Sequence, residues 1–357
     1  MNRLRALKDL AFSKKGFDGF LAFNGTNQQY LTGVPGTACT FVRSKGQSII
    51  LVHPVNFEQA NAEAEGFKVE KVKRNENVIA RIAAHAKRSR IKKLAIDAIG
   101  YDSYRALAKE LRGETRLKTR PDFVSQLRQV KDVDELRLMR KAGELTSEGM
   151  KAACDAIRPG IKEIEVAAEI EYAMRKRYSW GIAFESIVAS GARSAYPHGG
   201  CTDRQIRNGD LVVVDIGARY HEYCSDMTRT VVAGNASEKQ KKIYNIVKQA
   251  HGNAMEAIRP NVRGRDIDNA ARKTIDDAGY GEYFCHGLGH GVGLEVHEGP
   301  TLNSESKDML KAGNVVTVEP GIYLIGFGGI RIEDSVLVQA RRPEEFTEGP
   351  YTLEVER

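Results

Sequence analysis

The chain has no close pair of cysteines and no long apolar run, and each lack excludes a class of protein. Cys39, Cys154, Cys201, Cys224 and Cys285 are odd in number and scattered. That excludes a disulfide framework and a thiolate zinc site, and it fits a reducing compartment. Five ordinary buried or partly buried thiols are expected. The longest apolar runs, such as residues 211–214 and 315–318, are strand-sized, far below the about 20 residues that a membrane helix needs. Residues 1–10 alternate basic and apolar positions, without the apolar core of a signal peptide. The expectation is a cytoplasmic protein with no membrane partner.

No stretch is dominated by one sign of charge. The formal charge is +7, but Lys14-Lys15, Lys87-Arg88-Ser89-Arg90 and residues 239–242 are short and interleaved with acidic or apolar positions. Such dispersed bases describe a solvated surface rather than a phosphate-tracking stripe, so no nucleic-acid partner is expected. The remaining composition, 41% apolar and 28% charged, is that of a globular protein. A length of 357 residues suits two domains better than one core.

The first stretch reads as α/β. Residues 19–23, 40–43, 48–53 and 94–97 are strand candidates, with helical patterns between them at about 56–65, 75–88 and 102–112. This layer ends near Pro121, and its His53 and His85 have no companions in the sequence. A second unit opens at Asp132, a candidate amino-terminal cap. The helix that follows carries Leu136, Met139, Ala142 and Leu145 on one face.

From there the sequence partly repeats. Ala153-Cys154-Asp155-Ala156-Ile157-Arg158-Pro159 recurs as Ala254-Met255-Glu256-Ala257-Ile258-Arg259-Pro260, each copy followed by a helical pattern at 163–178 and 266–278. Asn208-Gly209-Asp210-Leu211-Val212-Val213-Val214-Asp215-Ile216-Gly217 is answered by Ala312-Gly313-Asn314-Val315-Val316-Thr317-Val318-Glu319-Pro320-Gly321. Two copies in one order imply two similar halves, not a solenoid.

Each half ends an apolar strand on a carboxylate, Asp215 or Glu319, and carries another beyond a turn, Asp226 or Glu333. A hairpin folded about Tyr220-His221 would set Asp215 opposite Asp226. One folded within Gly326-Phe327-Gly328-Gly329 would set Glu319 opposite Glu333, with Cβ atoms roughly 5 Å apart. Four converging carboxylates repel unless something neutralises them, and one or two divalent cations are the natural answer. Between the hairpins lies His286-Gly287-Leu288-Gly289-His290-Gly291-Val292-Gly293. Its glycines disfavour a helix and suit an extended loop. One histidine is then expected as a metal ligand and the other as a substrate contact. His221 and His251 read as exposed bystanders.

Six segments resemble those of the Xaa-Pro peptidases, the group of aminopeptidase P and prolidase, related to methionine aminopeptidase and creatinase. They are Tyr196-Pro197-His198-Gly199, Val214-Asp215-Ile216-Gly217, Cys224-Ser225-Asp226-Met227-Thr228-Arg229-Thr230, residues 289–300, Val318-Glu319-Pro320-Gly321-Ile322-Tyr323 and Gly329-Ile330-Arg331-Ile332-Glu333-Asp334. The resemblance implies a creatinase-type amino-terminal α/β domain at 1–123. It implies a pita-bread catalytic domain with an internal pseudo-twofold repeat at 130–357. Asp215 would hold one metal, Asp226 and Glu333 both, and His290 and Glu319 the other. Glu319 would also be the general base. His198, His286 and His297 would surround the substrate, and Arg331 would lie beside Glu333. His297 would help a metal to stabilise the oxyanion, and Tyr323 would join His198 and His286 as a wall of the proline pocket.

Oxygen-rich ligation with one imidazole suits Mn²⁺ first, then Co²⁺, Fe²⁺ or Zn²⁺. The implied partners are proline-containing peptides and a second copy of the chain. Some dipeptidases of the group carry an arginine just after the His-Glu-x-Pro segment, where it can clamp a free carboxylate. Thr301 stands there in this chain, so cleavage of Xaa-Pro-Yaa as well as Xaa-Pro is expected. Methionine aminopeptidase activity fits less well, because of the extra amino-terminal domain. The rival from another class is a non-catalytic binding module on the same fold, whose signature would be a broken ligand set.

Overall fold

The computed structural model describes residues 2–354, so residue 1 and residues 355–357, the outer limits of the expected domains, lie outside the described residues. The chain divides between Arg128 and Gln129 into two compact units. Among the described residues no helix is long and apolar enough to cross a membrane.

The first unit is built on one sheet of six strands: β1 (Gly19–Ala22), β2 (Cys39–Arg43), β3 (Ser48–Val52), β4 (Phe67–Lys71), β5 (Lys93–Ile96) and β6 (Arg116–Thr119), in the order β4-β3-β2-β1-β5-β6. Its helices are α1 (Arg3–Lys8), α2 (Gly25–Thr32), α3 (Phe57–Glu63), α4 (Val78–Arg88), α5 (Tyr101–Glu110) and α6 (Asp122–Gln129). The apolar strand candidates all form. The two edge strands, β4 and β6, were not anticipated, because Phe67-Lys68-Val69-Glu70-Lys71 and Arg116-Leu117-Lys118-Thr119 lack an apolar run. Charged edges of this kind discourage pairing with another chain. His85 is not without companions either: its Nε2 lies 3.0 Å from Glu70 and its Nδ1 3.2 Å from an Arg88 nitrogen. Spacing did not reveal this cluster, since Glu70 sits on an unpredicted strand.

The second unit opens with α7 (Val133–Ala156), where Asp132 and Glu135 form the expected amino-terminal cap as a reciprocal capping box. Then follow α8 (Glu163–Lys176), β7 (Gly181–Ile182), β8 (Ile187–Ser190), β9 (Leu211–Ile216), β10 (Ala218–Tyr220), β11 (Tyr223–Cys224) and β12 (Met227–Val232). The second half repeats this order with α9 (Glu238–Ala257), α10 (Gly264–Asp277), β13 (Gly289–Gly291), β14 (Glu298–Leu302), β15 (Val315–Val318), β16 (Gly321–Leu324), β17 (Gly328–Arg331) and β18 (Asp334–Leu337). Each half has its own packed core. Leu145, Ile170, Val212 and Val214 are buried in one, and Val247, Ile267, Val316 and Ile330 in the other. Thus β9 and β15 lie apolar side down on helix pairs and deliver their terminal carboxylates to the same edge of the core.

The first hairpin corrects an expectation. Asp215 pairs with Thr228, not with Asp226. The turn falls on His221-Glu222, both at positive φ (45° and 67°), with Tyr220 paired to Tyr223. That is the backbone a tight two-residue hairpin needs. Centring the turn one residue later than Tyr220-His221 moves every partner by two, which preserves the face. The second hairpin has the expected register. Val318 pairs with Asp334 and Gly321 with Arg331, which leaves Glu319 and Glu333 opposite each other.

Candidate metal centre

Each ligand-type side chain sits where a strand begins, ends or breaks. Asp215 closes the apolar run of β9, Asp226 precedes β12, and His290 stands at the register break of β13 against β14. Glu319 follows β15, and Glu333 interrupts the path from β17 to β18. A bridge joins the halves: Glu333 donates its N–H to the Thr228 carbonyl (3.0 Å), and the Thr228 hydroxyl donates to Glu333 Oε2 (2.6 Å). Asp226, His290 and Glu333 bring ligand atoms within 4.8 Å of one another. His290 Nε2 lies 3.4 Å from Glu319 Oε1 and 3.7 Å from Asp226 Oδ2. Nine of the ten residues expected at the site line one cavity of about 590 Å³, namely Asp215, Asp226, His290, Glu319, Glu333, His198, His286, His297 and Arg331.

Charge in this cavity is poorly compensated by the protein alone. Asp226 and Glu333 are only 5% and 2% exposed. Burial first, and then mutual repulsion among the carboxylates, hold both well above the usual carboxylate range. Burial likewise lifts Glu319 to about 8, with Asp215 adding to the shift and Arg331 opposing it. The imidazoles move the other way, to about 4: burial and then His297 lower His290, while burial and then Arg331 lower His286. Asp215 Oδ1 is buried with no hydrogen-bond partner. Crowded carboxylates that repel one another, neutral imidazoles and an unpartnered buried oxygen together fit a centre built for divalent cations.

The histidine tautomers follow from the partners. His290 Nδ1 lies 3.1 Å from the Gly291 carbonyl and must donate there, leaving its Nε2 lone pair facing the carboxylates. Arg331 can only donate. It gives hydrogen bonds to Asp215 Oδ2 (2.6 Å), to the Thr228 hydroxyl (3.0 Å) and to the Tyr323 hydroxyl (2.8 Å). The Tyr323 proton therefore goes to His286 Nε2, 2.9 Å away, and His286 Nδ1 donates to the Gly287 carbonyl at 2.8 Å. Tyr323 is buried and is not a pocket wall, contrary to expectation. It sets the His286 ring. Tyr323→Phe is expected to raise KM about 10-fold and to lower kcat less than about 3-fold, because the freed His286 ring meets substrate less well. Steady-state kinetics beside a melting curve would check this, and an unchanged KM would refute it.

Two other expectations need correction. His251 is buried, with Nε2 3.2 Å from Asp334. Asp334 also pairs with Arg229 at 2.9 Å, and Arg229 donates to the Glu333 carbonyl at 2.7 Å. This buried pair therefore fixes the backbone of Glu333 from behind. Cys285 is exposed, whereas Cys39 and Cys224 are buried and Cys154 and Cys201 partly so. His221 is exposed and stacks on Trp180, with ring centroids 4.1 Å apart.

Known proteins are similar to this chain over most of its length. An Xaa-Pro dipeptidase from Pyrococcus horikoshii is 38% identical over 94% of this chain and 93% of its own length. The structure of an Xaa-Pro dipeptidase from Bacillus anthracis superposes with a TM-score of 0.93 at 37% identity, covering 99% of this chain and 98% of its own. An X-Pro aminopeptidase structure from Thermotoga maritima gives 0.87 at 35% identity, covering 95% and 98%. The creatinase/prolidase amino-terminal domain model matches residues 3–130, and the model of metallopeptidase family M24 matches residues 137–340. The α/β amino-terminal domain and the pita-bread catalytic domain expected from the resemblance are those of this family. The chain belongs to metallopeptidase family M24.

Proposed function

We propose that this protein hydrolyses the Xaa-Pro bond at the amino terminus of peptides. Two divalent cations, Mn²⁺ foremost, would be held by Asp215, Asp226, His290, Glu319 and Glu333. The observation that carries this reading is the complete ligand set around one cavity, with Asp226, His290 and Glu333 within 4.8 Å of one another. Bound cations would supply Lewis-acid polarisation of the scissile carbonyl and a lowered pKa for water.

The protein's own groups do the rest. Glu319 is the most exposed of the close carboxylates that lack a strong donor, since its nearest hydroxyl, that of Thr317, is 3.4 Å away. Its carboxylate takes a proton from water and passes it to the proline nitrogen as that nitrogen leaves. His297, its ring 4.2 Å from that of His290, donates to the developing oxyanion. His198 and His286 flank the substrate, and Phe184, Ile187 and Pro197, which also line the cavity, give the pyrrolidine ring an apolar bed. An Xaa-Pro bond lacks an N–H, and nothing in this bed requires one.

Arg331 is the single basic lysine or arginine lining the cavity among the described residues, and it is already committed to Asp215, Thr228 and Tyr323. With no free clamp for a carboxylate on the proline, Xaa-Pro-Yaa peptides are accepted beside Xaa-Pro. The test is hydrolysis of Ala-Pro and Ala-Pro-Ala by chelator-stripped protein with and without Mn²⁺. Metal-restored cleavage of both is expected; turnover of the dipeptide alone would overturn the preference, and no cleavage with any divalent metal would overturn the function.

The same reading has residues 1–123 as the amino-terminal domain and 130–357 as the catalytic domain. It also has the chain acting as a homodimer in the cytoplasm. Resemblance supports the dimer, and the unpaired, scattered cysteines support a reducing compartment.

A further inference from the structure

The histidines that flank the cavity stand on glycine-rich backbone. His198 precedes Gly199-Gly200, and His286 precedes Gly287. Such backbone has high conformational freedom and does not hold a side chain still by itself. In each half of the catalytic unit, one fully buried carboxylate on a helix does the holding.

In the first half this is Glu163, the first residue of α8, 0% exposed. Its Oε1 accepts from the Ser190 N–H (2.8 Å) and hydroxyl (2.7 Å). Its Oε2 accepts from Arg193 (2.6 Å) and from the Thr202 N–H (3.0 Å) and hydroxyl (2.6 Å). Ser190 and Thr202 are the two feet of the loop that has His198 near its tip. Arg193 then reaches across the loop and donates to the carbonyl of Gly199.

In the second half it is Asp268 on α10, also 0% exposed. It accepts two hydrogen bonds from Arg272 (2.8 and 2.9 Å) and one from the Leu288 N–H (3.0 Å). Arg272 donates in turn to the carbonyls of Phe284 (3.0 Å) and His286 itself (2.9 Å). The two sets do not occupy equivalent positions of the repeat, yet they have one plan. A buried carboxylate anchors the loop and orients an arginine, and the arginine grips the backbone at or beside the histidine. Charge-assisted bonds of this kind are the strong ones.

We propose that Glu163–Arg193 and Asp268–Arg272 are positioning clamps that set His198 and His286, and thereby the affinity for substrate, without touching substrate themselves. This rests on the reading that those histidines contact the peptide. Glu163→Gln turns an amide N–H₂ towards donors that need an acceptor, and Asp268→Asn does the same to Arg272 or Leu288.

The test is a pair of double-mutant cycles on the metal-loaded, full-length protein with Ala-Pro-Ala. Glu163→Gln is expected to raise KM about 10-fold and to lower kcat less than about 3-fold, but to change KM less than about 2-fold in a His198→Ala background. Asp268→Asn should show the same dependence on His286→Ala. Effects that multiply in full in both backgrounds would overturn the proposal. If Glu163→Gln does not fold, Arg193→Lys, which keeps the charge but loses the fork, enters the same cycle.

A second readout needs neither metal nor activity. Amide hydrogen exchange should speed up over residues 194–202 in the Glu163 variant and over 283–289 in the Asp268 variant, each leaving the other segment unchanged. Uniform acceleration in both would mean general destabilisation and overturn the clamps. Wild-type protein that cleaves no Xaa-Pro peptide would sink the proposed function, while the exchange pattern would still decide whether the loops are clamped.

Discussion

Glu319→Gln should retain bound metal and lose roughly 10²–10⁴-fold in kcat, the range that removal of a general base costs. Among the four carboxylates, the geometry singles out this one. Asp215 is held by Arg331 at 2.6 Å, and Glu333 takes the Thr228 hydroxyl at 2.6 Å. Asp226 is nearly inaccessible, with 7% of its side chain exposed, against 16% for Glu319. Glu319 thus has the freedom to face a reacting water and the leaving nitrogen. Glutamine preserves shape and one carbonyl oxygen but has no proton-accepting carboxylate. Metal content and single-turnover rates measured on the same sample separate the two roles proposed for the residue. A variant with bound metal and kcat within tenfold of wild type would exclude Glu319 as the base.

Metal-free protein should become less stable as pH rises from 7 to 9, and divalent cations should reverse this. Glu319, lifted to about 8, and Asp226 and Glu333, also raised, keep protons in the folded state that the unfolded chain has already lost. The folded state binds more protons, so stability falls with rising pH until the folded groups ionise. For a carboxyl lifted from 4.5 to about 8 most of the loss has occurred by pH 7, and its ionisation across pH 7 to 9 removes roughly a further 1.4 kcal/mol, or about 3 °C in Tm. Below about 6.5 His286 and His290, held at about 4, stay neutral while the unfolded imidazoles charge, and these two groups oppose the three carboxyls without outweighing them. The informative window is therefore pH 7 to 9. Added Mn²⁺ should raise Tm more at pH 8.5 than at pH 7, since binding displaces protons. Melting curves of chelated protein that are flat or rising across this window would refute the account.

Much of this site was readable before any coordinates, for a physical reason. Apolar runs that end in a carboxylate, as at residues 211–215 and 315–319, announce both a buried strand and an anomaly at its end. The glycines around His290 excluded a helix, and the strand β13 is what formed. What spacing could not supply was pairing over distance. The partner of Asp215 depended on which two residues took positive φ, and His221-Glu222 lacks the Asn-Gly signal that marks such turns. The edge strands β4 and β6 carry alternating charge, so the cluster around His85 stayed hidden with them. His251 looked like a surface residue because its partner, Asp334, is far away in sequence. Tyr323 was assigned to the pocket by the resemblance alone; its hydroxyl is instead committed to Arg331 and His286. Glu163 and Asp268 gave no signal, since an acid near a helix start reads as a dipole partner and only the fold brings loops to it.

The bridge between Thr228 and Glu333 spans a sequence separation of 105 residues and has a consequence for how the protein matures. Asp215 and Asp226 come from one half of the catalytic unit, and His290, Glu319 and Glu333 from the other. A chain made from its amino terminus exposes two of these side chains long before the rest exist, and two carboxylates in a flexible polymer capture a cation weakly. Contacts this far apart form last. At the proposed site, selection among competing metals would therefore fall to the finished cavity rather than to the nascent chain.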